Sequence, residues 1–282
     1  MSPCSSLTAS GSITASTAGQ TIQNLNITGS ITVNAANVTI TNVCVSSDGA
    51  GNINNGPAVR FNSTGGSIDH STVRGANGTD QSVQAVLSGS GTASHVYLYN
   101  CSECVHDGPW TVSDSYIESN AASFEDGYVN DAGQGPADHH ESFYFATSTL
   151  TVNHDTIFNP YGETAAVFGD TYNNGGVCGN HTTITNSLLA GGGYTIYTCS
   201  SQTSAGASTM NVSNNRFARC LTPAVFNKAS GGNACAGGPD SHGYWPNGGY
   251  YGIDAYTNCP PMSGQTWSGN VWDDDGGTIA CQ

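Results

Sequence analysis

The stretch Ile40-Thr41-Asn42-Val43-Cys44-Val45 contains the short pattern that decides the fold. An apolar residue is followed two positions later by a polar or small residue, and three positions after that by a second apolar residue. Nine copies occur: Ile22-Asn24-Ile27, Ile40-Asn42-Val45, Ile68-His70-Val73, Val96-Leu98-Cys101, Val112-Asp114-Ile117, Val152-His154-Ile157, Ile184-Asn186-Leu189, Val212-Asn214-Phe217 and Trp267-Gly269-Trp272. This recurrence indicates an internal repeat.

The spacing of the copies predicts a unit of about 28 residues. Three of the eight start-to-start spacings are 28, and the neighbouring spacings of 16 and 40 together span two such units. A second apolar segment follows most copies, as at residues 58–61 and 165–168. Gly- and Asn-rich turns separate the segments, and no helical period lies between them. The sequence therefore predicts an all-β fold, a solenoid of short parallel strands.

The polar position of the repeat carries asparagine in four copies, at Asn24, Asn42, Asn186 and Asn214. Stacked turns place equivalent side chains above one another, so we expect these amides to form a ladder and satisfy the turn backbone. His70, Asp114 and His154 occupy the same position. We interpret these three as turn or ladder residues rather than catalytic ones.

The tandem units, as in Val38-Thr39-Ile40-Thr41-Asn42 and Ile184-Thr185-Asn186-Ser187-Leu188, resemble the right-handed parallel β-helix (pectate-lyase-like) superfamily. The resemblance covers roughly residues 20–230. It implies a single β-helix domain over 1–282, with an N-terminal cap at 1–20, rungs at 21–226, and loop-rich C-terminal rungs and a cap at 227–282. Members include polysaccharide lyases, glycoside hydrolases, epimerases and phage tailspikes, so the resemblance implies action on a polysaccharide without identifying the branch.

Composition excludes several classes of function. Lys and Arg number 5 against 20 Asp and Glu, for a net charge of −15, so nucleic-acid binding is not expected. No apolar run reaches 18 residues, so we expect no membrane span. The ten cysteines predict up to five disulfides and an extracellular protein, with a structural role for Cys101-x-x-Cys104 and plausible local pairs Cys178–Cys199 and Cys220–Cys235. The oligomeric state is not indicated.

The densest polar cluster is Asp138-His139-His140-Glu141, which leads into the apolar segment 142–145. It lies near the end of the 40-residue unit that runs from Val112 to Val152. Alignment on that segment predicts that Glu141 and Glu163 lie about one rung apart, with Asp170 closing the latter strand. Two carboxylates at this range suit glycoside hydrolysis. We therefore expect Glu141 with Asp170 or Glu163 as the acid–base pair. The histidines expected beside that pair are His139, His140 and His106.

Three alternatives stay open. The first is a polysaccharide lyase with Lys228 or a histidine as base, with or without Ca²⁺. The net charge of −15 would repel a polyanionic substrate, so it favours hydrolysis of a neutral or weakly charged glycan. The acidic insert could instead be a solvated loop or a Ca²⁺ site at Asp126, Asp131 and Asp138, and otherwise no cofactor is expected. The third alternative is a non-catalytic glycan-binding or adhesive protein.

Aromatic residues of the C-terminal region are candidates for sugar stacking. Tyr244, Trp245 and Tyr250 offer flat faces among glycines, or else pack over the end of the solenoid. Arg60, Asp107 and Tyr144 complete the predicted substrate-binding set.

Overall fold

The computed structural model describes most of the repeat. The described ranges are 1–47, 57–75, 85–119, 141–145, 149–159, 165–169, 181–192, 194–197, 209–218, 252–255 and 266–280. The chain divides into two compact units, Met1–His139 and His140–Gln282, which are treated in turn. Each coil contributes one strand to each of three sheets, visited in the order A, B, C. The described helical structure is limited to one 3₁₀ turn at Cys4–Ser6.

The first unit contains three parallel sheets. Sheet A holds β1 (Thr8–Ser10), β4 (Leu25–Thr28), β7 (Cys44–Ser46), β10 (Thr72–Arg74), β13 (Tyr97–Tyr99) and β16 (Tyr116–Glu118). Sheet B holds β2 (Ile13–Ala15), β5 (Ile31–Val33), β8 (Val59–Phe61), β11 (Leu87–Gly89) and β14 (Glu103–His106). Sheet C holds β3 (Thr21–Gln23), β6 (Thr39–Thr41), β9 (Ser67–Asp69), β12 (Gly91–Ser94) and β15 (Trp110–Ser113). Strands β1 and β2 lie within residues 1–20, paired with β4 and β5.

The second unit repeats this order. Sheet A holds β19 (Thr156–Asn159), β22 (Leu188–Gly191), β25 (Arg216–Phe217) and β28 (Val271–Trp272). Sheet B holds β17 (Glu141–Phe145), β20 (Ala165–Gly169), β23 (Tyr194–Tyr197) and β26 (Gly252–Ala255). Sheet C holds β18 (Thr149–Asn153), β21 (His181–Thr185), β24 (Thr209–Ser213) and β27 (Thr266–Ser268). The prediction of a parallel β-helix is confirmed.

Apolar side chains stack inside the coils in register. In sheet C of the first unit, Ile22 pairs with Ile40 and Ile40 with Ile68, and all three are buried. Alternate residues of a strand point to opposite faces, so the neighbours of these isoleucines point outward. The core is therefore a set of apolar columns, and each outward column is a row of side chains about 4.8 Å apart.

A single residue in the left-handed conformation joins sheet C to sheet A in every described coil. Its φ lies between 47° and 64° at Asn24, Asn42, His70, His95, Asp114, His154, Asn186, Asn214 and Gly269. Asn, Asp, His and Gly tolerate this conformation better than other residues do. Asn42 Nδ2 donates to Asn24 Oδ1 at 2.7 Å. The predicted turn position is thus confirmed, and so is the amide ladder between Asn24 and Asn42, whereas Asn186 Nδ2 donates to Asn153 Oδ1 at 2.8 Å. His70 and His154 are corner residues.

The fourth predicted copy of the repeat is wrong by three residues. Ala93 pairs with Ile68 and with Val112, and His95 occupies the corner that Val96-Leu98-Cys101 would have given to Leu98. The small side chain of Ala93 weakens the apolar pattern there. The rungs are also uneven, since equivalent residues lie 18, 19, 25, 28 or 32 residues apart in different coils.

Long connections flank sheet B rather than the corner between sheets C and A. Residues 47–58 and 75–86 each join sheet A to sheet B in the first unit. In the second unit, residues 218–251 do the same, and 170–180 and 198–208 join sheet B to sheet C. Loops that interrupt a rigid repeat are where binding residues concentrate. Sheet B is therefore the face on which binding residues are expected.

Two disulfides are present among the described residues. Cys4–Cys44 ties the 3₁₀ turn to β7, with a Cα–Cα distance of 5.6 Å. Cys101–Cys104 closes the short corner between β13 and β14, which confirms its structural role. The pairs Cys178–Cys199 and Cys220–Cys235 lie outside the described residues. Among the residues described, none belongs to a helix long and apolar enough to cross a membrane.

Buried asparagines bind neighbouring coils of the second unit together. Asn215 is 0% exposed, and its side chain accepts from Ser187 N at 2.9 Å and donates to Ile184 O at 2.8 Å. Asn270 Oδ1 accepts from Asn215 N at 3.0 Å. Each of these bonds pairs an asparagine side chain with a buried backbone N–H or C=O group. Burial keeps solvent from replacing a lost partner.

We expect Asn215→Ala to lower the free energy of unfolding by about 3 kcal/mol, because it leaves a buried N–H and a buried C=O without partners. Chemical denaturation followed by circular dichroism measures this. Asn26→Ala, on the outer face of β4, is the control and should change stability by less than about 0.5 kcal/mol. Equal effects of the two substitutions would contradict the structural role given to Asn215.

Candidate functional site

An outward column on sheet B of the first unit brings two predicted site residues into line. Thr32 pairs with Arg60, Arg60 with Ser88, and Ser88 with His106. All four side chains are half-buried, whereas Val59 and Phe61 on either side of Arg60 are buried. Arg60 and His106 are two strands apart, or about 10 Å between Cα atoms. Arg60 has no ion pair with any residue that the structure describes.

His106 lies between two carboxylates. Its Nε2 is 3.0 Å from Glu103 Oε2, and its Nδ1 is 3.1 Å from Asp107 Oδ2. The Glu103 side chain is only 5% exposed, whereas that of Asp107 is 52% exposed. One carboxylate therefore holds the ring from inside the protein, and the other lies at the surface where a ligand reaches it.

The two carboxylates keep His106 charged. Burial alone would lower the pKa of the imidazole, but hydrogen bonds and charges from Asp107 and Glu103 outweigh it and raise the pKa from 6.5 to about 10. The ring is thus an imidazolium at neutral pH. The local sum of Arg60, His106, Glu103 and Asp107 is near zero, in contrast to the net charge of −15 for the whole chain.

Local backbone structure places these groups. The Cys101–Cys104 disulfide closes the corner at which β14 begins, and this corner holds Glu103. Asp107 follows the strand with a φ of 56°, so the chain turns immediately after His106. A strand between two sharp corners has little freedom to shift. The imidazole and both carboxylates are therefore held in place before any ligand arrives.

In the second unit, Glu141 and Tyr144 differ strongly in their exposure. Glu141 is 0% exposed at the start of β17, while Tyr144 is half-buried and its ring lies 5.7 Å from that of Phe168. Phe143 pairs with Val167, which sets Glu141 level with Ala165. Its assignment as a catalytic acid or base stays a prediction. A ligand would reach this carboxylate only by displacing the residues that cover it.

The remaining predicted site residues lie outside the described residues. These are His139, His140, Glu163, Asp170, Lys228, Asp126, Asp131, Asp138, Tyr244, Trp245 and Tyr250. The predicted Ca²⁺ set and the predicted aromatic platform therefore stay predictions. Of the predicted set, the structure brings together His106 and Asp107 and aligns Arg60 with them.

Two residues of interest were missed by sequence reasoning. Glu103 sits inside the Cys101-x-x-Cys104 motif, for which the sequence predicts only a structural role. The Glu103-x-x-His106 spacing beside a corner is the sequence feature that could have indicated a role for Glu103. His95 was missed because the fourth repeat copy was misaligned; with Ala93 in the apolar position, a histidine falls on the corner. Of the described residues, only Asp69, His70 and His95 form a group with metal-ligand geometry.

Comparisons with protein-family models, with curated proteins and with solved structures gave no match. The β-helix architecture is therefore established by the sheets themselves, and the superfamily suggested by the repeat stays an expectation.

We expect the imidazole of His106 to stay protonated well above neutral pH. Nitrogen chemical shifts of the ring should report an imidazolium at pH 8, with a midpoint near 10. Glu103→Gln and Asp107→Asn should each lower the midpoint, because each removes one hydrogen-bonded carboxylate. A wild-type midpoint near the ordinary value of 6.5 would contradict the described contacts.

The same pKa shift predicts how stability depends on pH. The folded-state pKa of His106 is raised, so its contribution to stability is fully present below about 6.5 and is lost as pH rises toward about 10. The difference in free energy of unfolding between wild type and His106→Gln should therefore shrink over this interval. A constant difference from pH 6 to pH 10 would count against the carboxylate–imidazolium–carboxylate unit.

Proposed function

We propose that this protein is an extracellular enzyme that cleaves glycosidic bonds of a polysaccharide over the outer face of sheet B. The observation that carries the proposal is the Glu103–His106–Asp107 unit, with Arg60 in the same outward column. A flat row of side chains repeating every 4.8 Å suits an extended chain ligand. The two disulfides support an oxidising compartment.

Hydrolysis is the favoured reaction. It needs a proton donor for the leaving oxygen and a carboxylate that activates water or attacks the anomeric carbon. Asp107 is the accessible carboxylate, and His106 holds it in place, because the ring nitrogens of His106 contact Asp107 on one side and the buried Glu103 on the other. In this scheme Asp107 takes a proton from the attacking water as its oxygen bonds to the anomeric carbon. The leaving glycosidic oxygen takes a proton from solvent water as the old bond breaks, and Asp107 then returns its proton to solvent. The pair Glu141 with Glu163 or Asp170 is the alternative acid–base set.

The local charge balance supports a neutral or weakly charged glycan. Arg60 and the His106 imidazolium offset Glu103 and Asp107, so the face neither attracts nor repels a polyanion strongly at short range. The net charge of −15 opposes the approach of a polyuronate from a distance. Arg60 is the candidate for hydrogen bonds to sugar hydroxyls, since its guanidinium offers several donors in one plane.

A polysaccharide lyase is the second candidate, and one observation favours it. Arg60 and the His106 imidazolium are two cations in one column, a placement that could neutralise the carboxylate of a uronate. In β-elimination a base, Lys228 in the sequence-based prediction, would take the proton next to that carboxylate. The glycosidic C–O bond would break as the carbon–carbon double bond forms, leaving an unsaturated sugar. This product absorbs in the ultraviolet, whereas hydrolysis yields only reducing ends.

We expect the protein to release reducing ends from at least one member of a panel of neutral and uronate polysaccharides, without ultraviolet absorbance from an unsaturated product. Asp107→Asn should reduce the rate by about 100-fold or more, because it removes the acid–base group while asparagine keeps the left-handed backbone. Product analysis and initial rates measure both effects. Parallel reactions with added Ca²⁺ or EDTA test for a metal requirement.

Asp114→Asn is the matched control, since Asp114 has the same side chain and a φ of 54° at a corner between sheets C and A. Its rate should stay within about twofold of wild type. An unsaturated product would make the protein a lyase. Reducing ends with unchanged activity of Asp107→Asn would move the site to Glu141. If no polysaccharide of the panel yields a product but sugar binding is retained, the result would favour a non-catalytic glycan-binding protein.

A further inference from the structure

Two adjacent coils of the first unit replace the asparagine ladder with histidine. Asn42 bonds to Asn24 at the corner between sheets C and A, but the next two corners hold His70 and His95. Their rings stack with centroids 4.4 Å apart and planes inclined by 14°. Since asparagine satisfies the same corner in neighbouring coils, the turn itself does not require an imidazole. A role other than turn formation must therefore explain the two histidines.

Asp69 gathers both rings. It is the last residue of β9, and its two carboxylate oxygens lie 2.5 Å from His70 Nδ1 and 3.2 Å from His95 Nδ1. Ser94 Oγ also donates to Asp69 Oδ1 at 2.7 Å. Burial would raise the pKa of Asp69, but hydrogen bonds from His70, Ser94 and His95 lower it overall. The carboxylate is therefore an anion over the physiological range.

The geometry matches a metal-binding arrangement. One ligand atom from each of Asp69, His70 and His95 lies within 4.8 Å of the others. Bonds of about 2.0–2.2 Å to nitrogen and oxygen place two ligands of one ion no more than about 4.4 Å apart, so small side-chain rotations suffice. The side chains are 36%, 50% and 51% exposed, which leaves room for a hydrated ion to enter.

The ligand types select the class of ion. Imidazole nitrogens with a carboxylate favour Zn²⁺, Ni²⁺ and Cu²⁺ over the harder Ca²⁺ and Mg²⁺, which prefer oxygen. Asp69 and His70 belong to one coil and His95 to the next, so an ion would join two coils. Parallel strand pairing on either side of the corner fixes the backbone of both coils, which lowers the conformational entropy lost when the ion binds.

We propose that Asp69, His70 and His95 bind one divalent transition-metal ion, with water completing its coordination. The ion would take the place of the hydrogen bonds that now join the imidazoles to the carboxylate, and each ring would carry its proton on the nitrogen that faces away from the ion. This site lies at the corner between sheets C and A, on different strands from the sugar site proposed on sheet B. It therefore stands or falls independently of catalysis.

Titration of the protein with Zn²⁺ by calorimetry, and with Cu²⁺ by electron paramagnetic resonance, tests the proposal without any substrate. We expect one equivalent to bind, with nitrogen hyperfine structure in the Cu²⁺ spectrum. His70→Asn and His95→Asn should each weaken binding by more than the roughly 10- to 100-fold that loss of an outer-shell partner costs. Asparagine suits both corners, as Asn24 and Asn42 show, so these variants should fold.

His154→Asn is the matched control, because it makes the same change at a corner of the second unit. It should keep the wild-type affinity and stoichiometry. Thermal unfolding gives a second readout: Zn²⁺ should raise the melting temperature of wild type and of His154→Asn but not of His70→Asn or His95→Asn. Absence of Zn²⁺ and Cu²⁺ binding by wild type, or binding that survives both His70→Asn and His95→Asn, would overturn the proposal.

Discussion

The tight corner between sheets C and A, with its single left-handed residue, is the constraint on which the rest of the structure depends. A residue with φ near 55° turns the chain from one sheet into the next with no intervening loop, in every coil that the structure describes. Only small polar residues, histidine and glycine occupy the position, because β-branched side chains clash there. The corner fixes the register of both adjoining strands, and a one-residue slip would turn apolar columns outward.

Fixing one corner leaves the others free to vary. The chain can insert segments of very different length before or after sheet B while the strands continue to stack in register. This explains why rungs are uneven although the short repeat is strict. Arg60, Glu103 and His106 lie on sheet B of the first unit, the sheet that these connections flank, and Asp107 directly follows it.

The repeat predicted the architecture because a buried column and a left-handed corner both leave marks on sequence. Ile22, Ile40 and Ile68 mark the column, and Asn24 and Asn42 mark the corner. The prediction was wrong at Ala93, where a small residue fills the column and leaves a weaker mark. The site was harder to predict, since a regular strand places Glu103 and His106 on opposite faces, yet their side chains meet beside the corner that the disulfide closes. The burial of Glu141, in contrast, follows from the local pattern, because Glu141, Phe143 and Phe145 alternate along β17 and so share one inward face.

The most direct test of the account is the position of a bound sugar on the first unit. Hydrogen exchange should be measured on Asp107→Asn with and without the oligosaccharide that wild type cleaves. The account predicts slower exchange in β8, β11 and β14 of sheet B, and unchanged exchange in β4, β7 and β10 of sheet A. Protection of sheet A with none on sheet B would contradict it.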